Sequence, residues 1–338
     1  MAKESNGGVK VGVIGYGGAF NMGRKHLQEM QAAGMVPTAV CEIDPTRLTE
    51  AEKDFPGIQQ YGDVGEMLKK SDVELVTIIT PHNLHAPQAI QCLKAGRHVV
   101  TEKPFAITTK ECDDMISAAR KTGRTLSTYH NRHWDGCILE AVKQIKQKKV
   151  IGEVFRIECH MGGYSMPRNW WRSSKSVSGG ILYDWGVHLL EYSLQLMDGN
   201  LTEVTGVAKT GHWAELAKKN EGWKADPNED EAYALARFDN GKWITLSITH
   251  LDSKSKEGLL EVTGTNGTYV FDIGEWTIHQ HKDGVRTTRR GKNPESKGQS
   301  FYDNVAAHLK SGEPLVITPE WARRPIHIID LAVQSAAA

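Results

Sequence analysis

One junction near the start of the chain constrains the fold more than any other feature. Val11-Gly12-Val13-Ile14 is a short apolar run, and Gly15-Tyr16-Gly17-Gly18 follows it at once. A buried strand that runs straight into a glycine turn is the opening of a βα unit in a doubly wound sheet. Gly15 suits the tight turn and Gly17 lets the backbone approach a pyrophosphate. The start of the next helix offers unpaired N–H groups to that anion. Phe20 stands where the third glycine of G-x-G-x-x-G belongs, and Gly23 comes six residues after Gly17 instead of three. The loop therefore reads as carrying a three-residue insertion, and its candidate cofactor contacts are Gly15, Gly17, Gly18, Ala19, Phe20 and Asn21.

The rest of the first ~125 residues agrees with this opening. Apolar β-branched runs at Val36 to Ile43, Glu74 to Ile79 and His98 to Thr101 suit strands buried on both faces. Helical patterns lie between and after them at Thr46 to Asp54, Val64 to Lys69, Ala86 to Ala95 and Thr109 to Lys121. Alternation of this kind predicts a parallel sheet with helices on both faces. Glu42 ends the second run, 25 residues after Gly17. A carboxylate there can accept hydrogen bonds from both ribose hydroxyls and repels a 2′-phosphate, so NAD(H) is expected over NADP(H). Asp44 is a competing candidate for the same role.

The pattern changes after Tyr129. A helix is expected over Trp134 to Lys146. Strands follow at Glu153 to His160, Glu203 to Ala208, Ala232 to Phe238, Trp243 to His250, Gly258 to Thr263 and Thr268 to Asp272. Turn chemistry at Asp239-Asn240-Gly241 and Asn266-Gly267 separates some of them. The fold class is thus α/β: an N-terminal Rossmann doubly wound parallel sheet over 1–128, then an α+β domain with an open, largely antiparallel sheet over 129–338. Trp213 to Asp230 is polar with two isolated tryptophans and reads as a long loop.

Bulk properties narrow the partners. Lys+Arg and Asp+Glu both number 41, which gives no reason to expect nucleic acid or an anionic membrane. The five cysteines form no C-x-x-C pair, so reduced thiols and a cytoplasmic location are expected. Met1 to Lys10 is polar, unlike a signal peptide, and no stretch is long and apolar enough to span a bilayer.

Three further segments carry chemistry: Thr80-Pro81-His82-Asn83-Leu84-His85, Glu102-Lys103-Pro104, and Ser178-Gly179-Gly180-Ile181-Leu182-Tyr183-Asp184-Trp185-Gly186-Val187-His188. A lysine just after a strand can bind a substrate hydroxyl and stabilise alkoxide character as hydride leaves. Glu102 can orient it. Asp184 and His188, four apart, share one face if the segment is helical. His188 is then a natural acid/base, with Asp184 orienting it or binding a neighbouring hydroxyl. The same spacing also fits a structural pair that holds the helix, or a metal pair, although no third ligand is evident and no metal is expected. Trp170-Trp171-Arg172 offers ring faces for a pyranose and a donor for its hydroxyls.

Together with the glycine loop, these segments resemble the Gfo/Idh/MocA family, the relatives of glucose–fructose oxidoreductase and inositol dehydrogenase. The resemblance covers nearly the whole chain. It implies a Rossmann domain followed by an open-faced α+β domain, an NAD cofactor, and homodimers or homotetramers. It places Trp171 and Arg172 near the nicotinamide end, and Thr80, Pro81, His82, His85, Glu102 and Lys103 are the candidates for the cofactor wall, His85 reading equally as a helix-start residue. It places Arg132 near the active site, and the candidate substrate contacts are Lys103, Asn131, Arg132, Trp171, Arg172, Tyr183, Asp184 and His188. His82 departs from the family's usual asparagine. The expected activity is NAD-dependent oxidation of a secondary alcohol in a sugar, inositol or glycoside. A lyase, hydrolase or epimerase that cycles tightly bound NAD through the same residues is the alternative. A non-catalytic dinucleotide sensor is the third, disfavoured by the presence of both Lys103 and His188.

Overall fold

A computed structural model describes residues 8–18, 21–217, 222–254 and 256–338, with Lys282 described by its backbone alone. The chain divides into two compact units. One comprises the residues up to His130 with Gln299–Arg323, and the other Asn131–Gly298 with Arg324–Ala338.

The first unit is built on a six-stranded parallel sheet of order β3-β2-β1-β4-β5-β6. Its strands are β1 (Lys10–Ile14), β2 (Val36–Cys41), β3 (Gln59–Tyr61), β4 (Leu75–Ile78), β5 (His98–Thr101) and β6 (Leu126–Thr128). This is the strand order of the dinucleotide-binding doubly wound fold. The helices between them are α1 (Met22–Ala32), α2 (Pro45–Asp54), α3 (Val64–Lys70), α4 (His85–Lys94) and α5 (Thr109–Thr122). The four strands expected from apolar runs are the central ones, where Val11, Val13, Val40, Val76 and Val99 are wholly buried. β3 and β6 were not legible. Each is three residues long, too short to show a period, and β3 is polar Gln-Gln-Tyr. The later helix Ser300–Ser311 adds Phe301 and Tyr302 to this unit's core beside Tyr129.

The second unit holds an eight-stranded sheet of order β14-β13-β12-β11-β7-β10-β9-β8. Its strands are β7 (Val154–Gly162), β8 (Leu201–Lys209), β9 (Glu231–Phe238), β10 (Trp243–Thr249), β11 (Leu260–Gly264), β12 (Gly267–Phe271), β13 (Glu275–Lys282) and β14 (Val285–Lys292). Only the β7–β10 pair is parallel. The helix Gly186–Leu196 packs on β7 and β10, burying nearly all its residues. The β13–β14 hairpin escaped the sequence reading because β14, Val-Arg-Thr-Thr-Arg-Arg-Gly-Lys, is an exposed edge without apolar alternation. Charged side chains on such an edge discourage pairing with another chain.

The stretch expected as a loop between Trp213 and Asp230 is more ordered than its polarity suggests. It contains a short helix, His212–Leu216, and a 3₁₀ turn, Gly222–Ala225. Trp213 and Trp223 are not isolated: they bury together with Ala217 in a small core of their own. Asp230 caps the short helix, accepting from His212 N at 2.8 Å and Trp213 N at 3.2 Å.

Candidate functional site

The glycine turn leaves its backbone and the start of the next helix open. Gly15 leaves β1 at φ +93°, which a side chain would strain. Its N–H donates to Cys41 O at 2.8 Å, tying the turn to the end of β2. Gly23 packs so closely on Tyr16 that a Cβ would lie 2.7 Å from its Cα. It therefore supplies the tight helix–strand contact expected of the motif's third glycine, three positions late, as the inserted loop requires. Gly17, Gly18 and Asn21 complete the described turn, with Asn21 left-handed at φ 48° just ahead of α1. Ala19 and Phe20 lie outside the described residues. α1 has no side-chain cap and no acidic residue in its first turn. By contrast, Asp44, Asp63 and Thr108 cap α2, α3 and α5. Among the described residues, no side-chain carboxylate caps the N-terminal N–H groups of α1 in competition with a bound phosphate.

Glu42 stands beside this turn. Its Oε2 accepts Tyr16 N at 2.8 Å and its Oε1 accepts Asp44 N at 3.1 Å. Asp44 is committed elsewhere: its side chain accepts Thr46 N and caps α2. Of the two acidic candidates, Glu42 is the one held at the glycine turn.

The other first-unit candidates follow β4 and β5, at the same carboxyl edge of the sheet. Thr80 Oγ1 donates to Gln88 Oε1 at 2.7 Å, and Pro81 leads into the 3₁₀ turn His82–Leu84. His82 and His85 are buried with ring centroids 5.7 Å apart. His85 spans the two turns, its Nδ1 2.7 Å from Pro104 O and its Nε2 2.9 Å from Thr80 O. The Glu102 carboxylate accepts the Lys103 N–H at 2.8 Å, and the Lys103–Pro104 bond is cis.

In the second unit, Asn131 and Arg132 lie in the 3₁₀ turn Asn131–Trp134. Arg132 Nη1 donates to Asp135 Oδ2 at 2.8 Å, and its guanidinium sits 4.7 Å over the Trp185 ring. Trp185 in turn meets His188 edge-on at 5.6 Å. His188 is 5% exposed, in the first turn of Gly186–Leu196. Tyr183 ends the buried 3₁₀ turn Ile181–Tyr183, and Asp184 lies half-buried at the bend between that turn and the helix. The Asp184–His188 spacing therefore crosses a helix start and is not a full α-helical turn. Trp171 and Arg172 open the 3₁₀ turn Trp171–Ser173, with the guanidinium 4.5 Å from the Trp171 ring centroid.

The sequence reading passed over the residues that fix this segment. Asn228 Nδ2 donates to Arg172 O at 2.7 Å, and Asp226 accepts from Ser174 Oγ, Ser176 N and Ser176 Oγ. Glu229, 5% exposed, accepts Ile181 N at 2.9 Å and pairs with Lys175 at 2.8 Å. All come from the acidic run Asp226 to Asp230, whose polarity disguised its role. His250 also belongs here: burial lowers its pKa, opposed by the charges of Asp230 and Asp184. Among the described residues no group of three or more His, Cys, Asp or Glu is placed to hold a metal ion.

Comparison with known proteins fits both units. Residues 9–130 match the oxidoreductase family with an NAD-binding Rossmann fold, and residues 139–270 match the GFO/IDH/MocA C-terminal domain. The chain belongs to the Gfo/Idh/MocA family. It is an NAD(P)-dependent oxidoreductase of that family. A scyllo-inositol 2-dehydrogenase (NADP(+)) of Bacillus subtilis is 26% identical, the match covering 97% of this chain and 94% of the relative. A myo-inositol 2-dehydrogenase of Thermotoga maritima is 24% identical, covering 92% and 91%. The fold is shared with levoglucosan dehydrogenase solved with NADH and levoglucosan, at a TM-score of 0.80, 21% identity and 98% and 97% coverage. Among the described residues of this family member, no helix is long and apolar enough to cross a membrane.

Proposed function

We propose that the protein is an NAD-dependent dehydrogenase acting on a secondary alcohol of an inositol, sugar or glycoside. The observation that carries the reading is the placement of Lys103. Its backbone is anchored by Glu102 at the carboxyl end of β5, along the same sheet edge as the uncapped start of α1 and the Glu42 carboxylate. Those groups fit a dinucleotide: α1 would take the pyrophosphate, and Glu42 the adenosine ribose. When bound, NAD accepts the substrate hydride. The Lys103 ammonium holds the substrate hydroxyl and stabilises developing alkoxide charge. His188 takes the alcohol proton, and Asp184 binds a neighbouring hydroxyl or orients His188. Trp185 and the Trp171-Arg172 pair supply the ring faces and the cation that suit a polyol. The inositol and levoglucosan dehydrogenases among the relatives support this substrate class. The NADP(+) of one relative's name makes the cofactor a point to test, and Glu42 favours NAD here.

The test is a panel of myo-inositol, scyllo-inositol, levoglucosan and free aldoses, each with NAD+ and with NADP+, followed by nicotinamide absorbance. Turnover of at least one polyol with NAD+ is expected. A protein that binds NAD+ tightly but oxidises none of them would overturn the dehydrogenase reading.

A further inference from the structure

The first unit buries a chain of polar groups that ends at the Lys103 backbone. His26 and Tyr302 are both wholly buried. Tyr302 OH lies 3.2 Å from Thr77 Oγ1 and 2.7 Å from His26 Nδ1. His26 Nε2 lies 3.1 Å from Glu102 Oε1, and Glu102 Oε2 accepts the Lys103 N–H at 2.8 Å. An ionised carboxylate only accepts, so His26 Nε2 carries the proton toward Glu102. In a singly protonated ring Nδ1 then accepts, and Tyr302 OH is its donor. The chain runs in one direction, Tyr302 to His26 to Glu102, and Lys103 N–H closes it from the other side. Its members come from α1, from the end of β5 and from the helix Ser300–Ser311, 276 residues after His26. No local motif brings them together.

Burying such a chain is costly unless every group is satisfied, and these are matched donor to acceptor. Burial pushes the Glu102 carboxyl up. The hydrogen bond from His26 and the Lys103 charge outweigh this and hold it below the usual glutamate value. The neighbouring titratable groups are Tyr129, whose ring meets His26 edge-on at 4.3 Å, and Glu29, which accepts Tyr129 OH and lies 3.8 Å from Lys25. Burial raises the hydroxyls of Tyr129 and Tyr302, so both stay neutral donors.

We propose that His26 and Tyr302 are positioning residues for Lys103: they orient the Glu102 carboxylate, which fixes the backbone from which the Lys103 ammonium reaches the substrate. The proposal rests on the reading of Lys103 as the residue that aligns the substrate hydroxyl. Tyr302→Phe removes the hydroxyl and keeps the ring. His26→Leu removes both ring nitrogens, and His26→Gln returns one N–H toward Glu102.

The test needs no substrate. The protein is reductively methylated with ¹³C-formaldehyde, and the Lys103 resonance is assigned by its loss in Lys103→Arg. Its acid-range inflection is assigned to Glu102 by its loss in Glu102→Gln. In Tyr302→Phe and His26→Leu the Lys103 resonance is expected to move and its Glu102 inflection to shift to higher pH, while other lysine signals stay in place. His26→Gln is expected to restore both toward wild type. A folded Tyr302→Phe protein whose Lys103 resonance and inflection match wild type would overturn the proposal. Where a polyol is turned over, kcat in Tyr302→Phe should fall roughly 10- to 100-fold with little change in the KM for NAD+. Failure of wild type to oxidise any polyol counts against the dehydrogenase reading alone, because the resonance test stands without it.

Discussion

Replacing Glu229 by alanine removes the carboxylate that holds the segment leading to Tyr183, Asp184 and His188. The size of the effect follows from its two partners. Ile181 N donates to it in a buried setting, and leaving such an N–H without an acceptor costs about 1–3 kcal/mol. The second partner, Lys175, is 43% exposed. Water and salt screen that arm, so its loss costs less than about 1 kcal/mol. The sum is about 1–4 kcal/mol, which for a unit of this size lowers the melting temperature by roughly 2–15 °C. Glu229→Gln keeps an acceptor for Ile181 N and loses only the charge, so about 1 kcal/mol is expected. The assay is urea unfolding followed by tryptophan fluorescence. Of the nine tryptophans all but Trp321 lie in the second unit, so the signal reports where the change is made. The two substitutions should fall in the stated order, and KM for the polyol should rise more than KM for NAD+. An alanine variant with an unchanged midpoint would refute the claim that Glu229 braces this segment.

His188→Asn should lower kcat by roughly 10²–10⁴-fold and Lys103→Met by as much or more, with NAD+ affinity nearly unchanged in His188→Asn; steady-state kinetics and cofactor titration check both, and near-wild-type turnover in His188→Asn would end its acid/base assignment. Glu42→Ser should raise affinity for NADP+ relative to NAD+ in paired titrations, and an unaltered ratio would show that Glu42 does not discriminate. Burial lowers the His98 pKa from 6.5 to about 4, and its Nδ1 accepts Thr125 N at 3.0 Å, a bond the protonated ring cannot make. The unfolded chain therefore binds the proton first, so the His98 contribution is complete above about pH 6.5 and is lost as pH falls toward 4. His98→Asn should flatten that slope in urea midpoints measured at several pH values across the window, and an unchanged slope would assign it to other groups.

The sequence by itself determined the first unit's plan. A β-branched run carries its own burial signal, and a glycine turn after it carries its own backbone signal. β1, β2, β4 and β5, the loop insertion between Gly17 and Gly23, and the acidic end of β2 were therefore all legible. Lys103 and His188 stood out as candidates in the same way, since each sits in a short, ordered motif. What only the tertiary structure decided depends on contacts distant in sequence. Edge strands β3, β6 and β14 take their conformation from a neighbour's unpaired backbone and not from a pattern of their own. That Glu42 is held at the glycine turn while Asp44 caps α2 depends on which carboxylate the Tyr16 N–H reaches and which one accepts Thr46 N. Trp213 and Trp223 looked like strays because the stretch around them is mostly polar, and their burial in one small cluster with Ala217 appears only in the folded chain. Asp226, Asn228 and Glu229 read as the end of a polar loop until the fold set Asp226 and Glu229 against the distant N–H groups of Ser176 and Ile181 and Asn228 against the carbonyl of Arg172. His26 and Tyr302 carry no motif, and only the folded first unit brings a ring nitrogen, a phenol and the Glu102 carboxylate into hydrogen-bonding reach. Local periodicity records what a residue does for its own element, whereas the partner of a buried polar group is fixed only when distant elements pack.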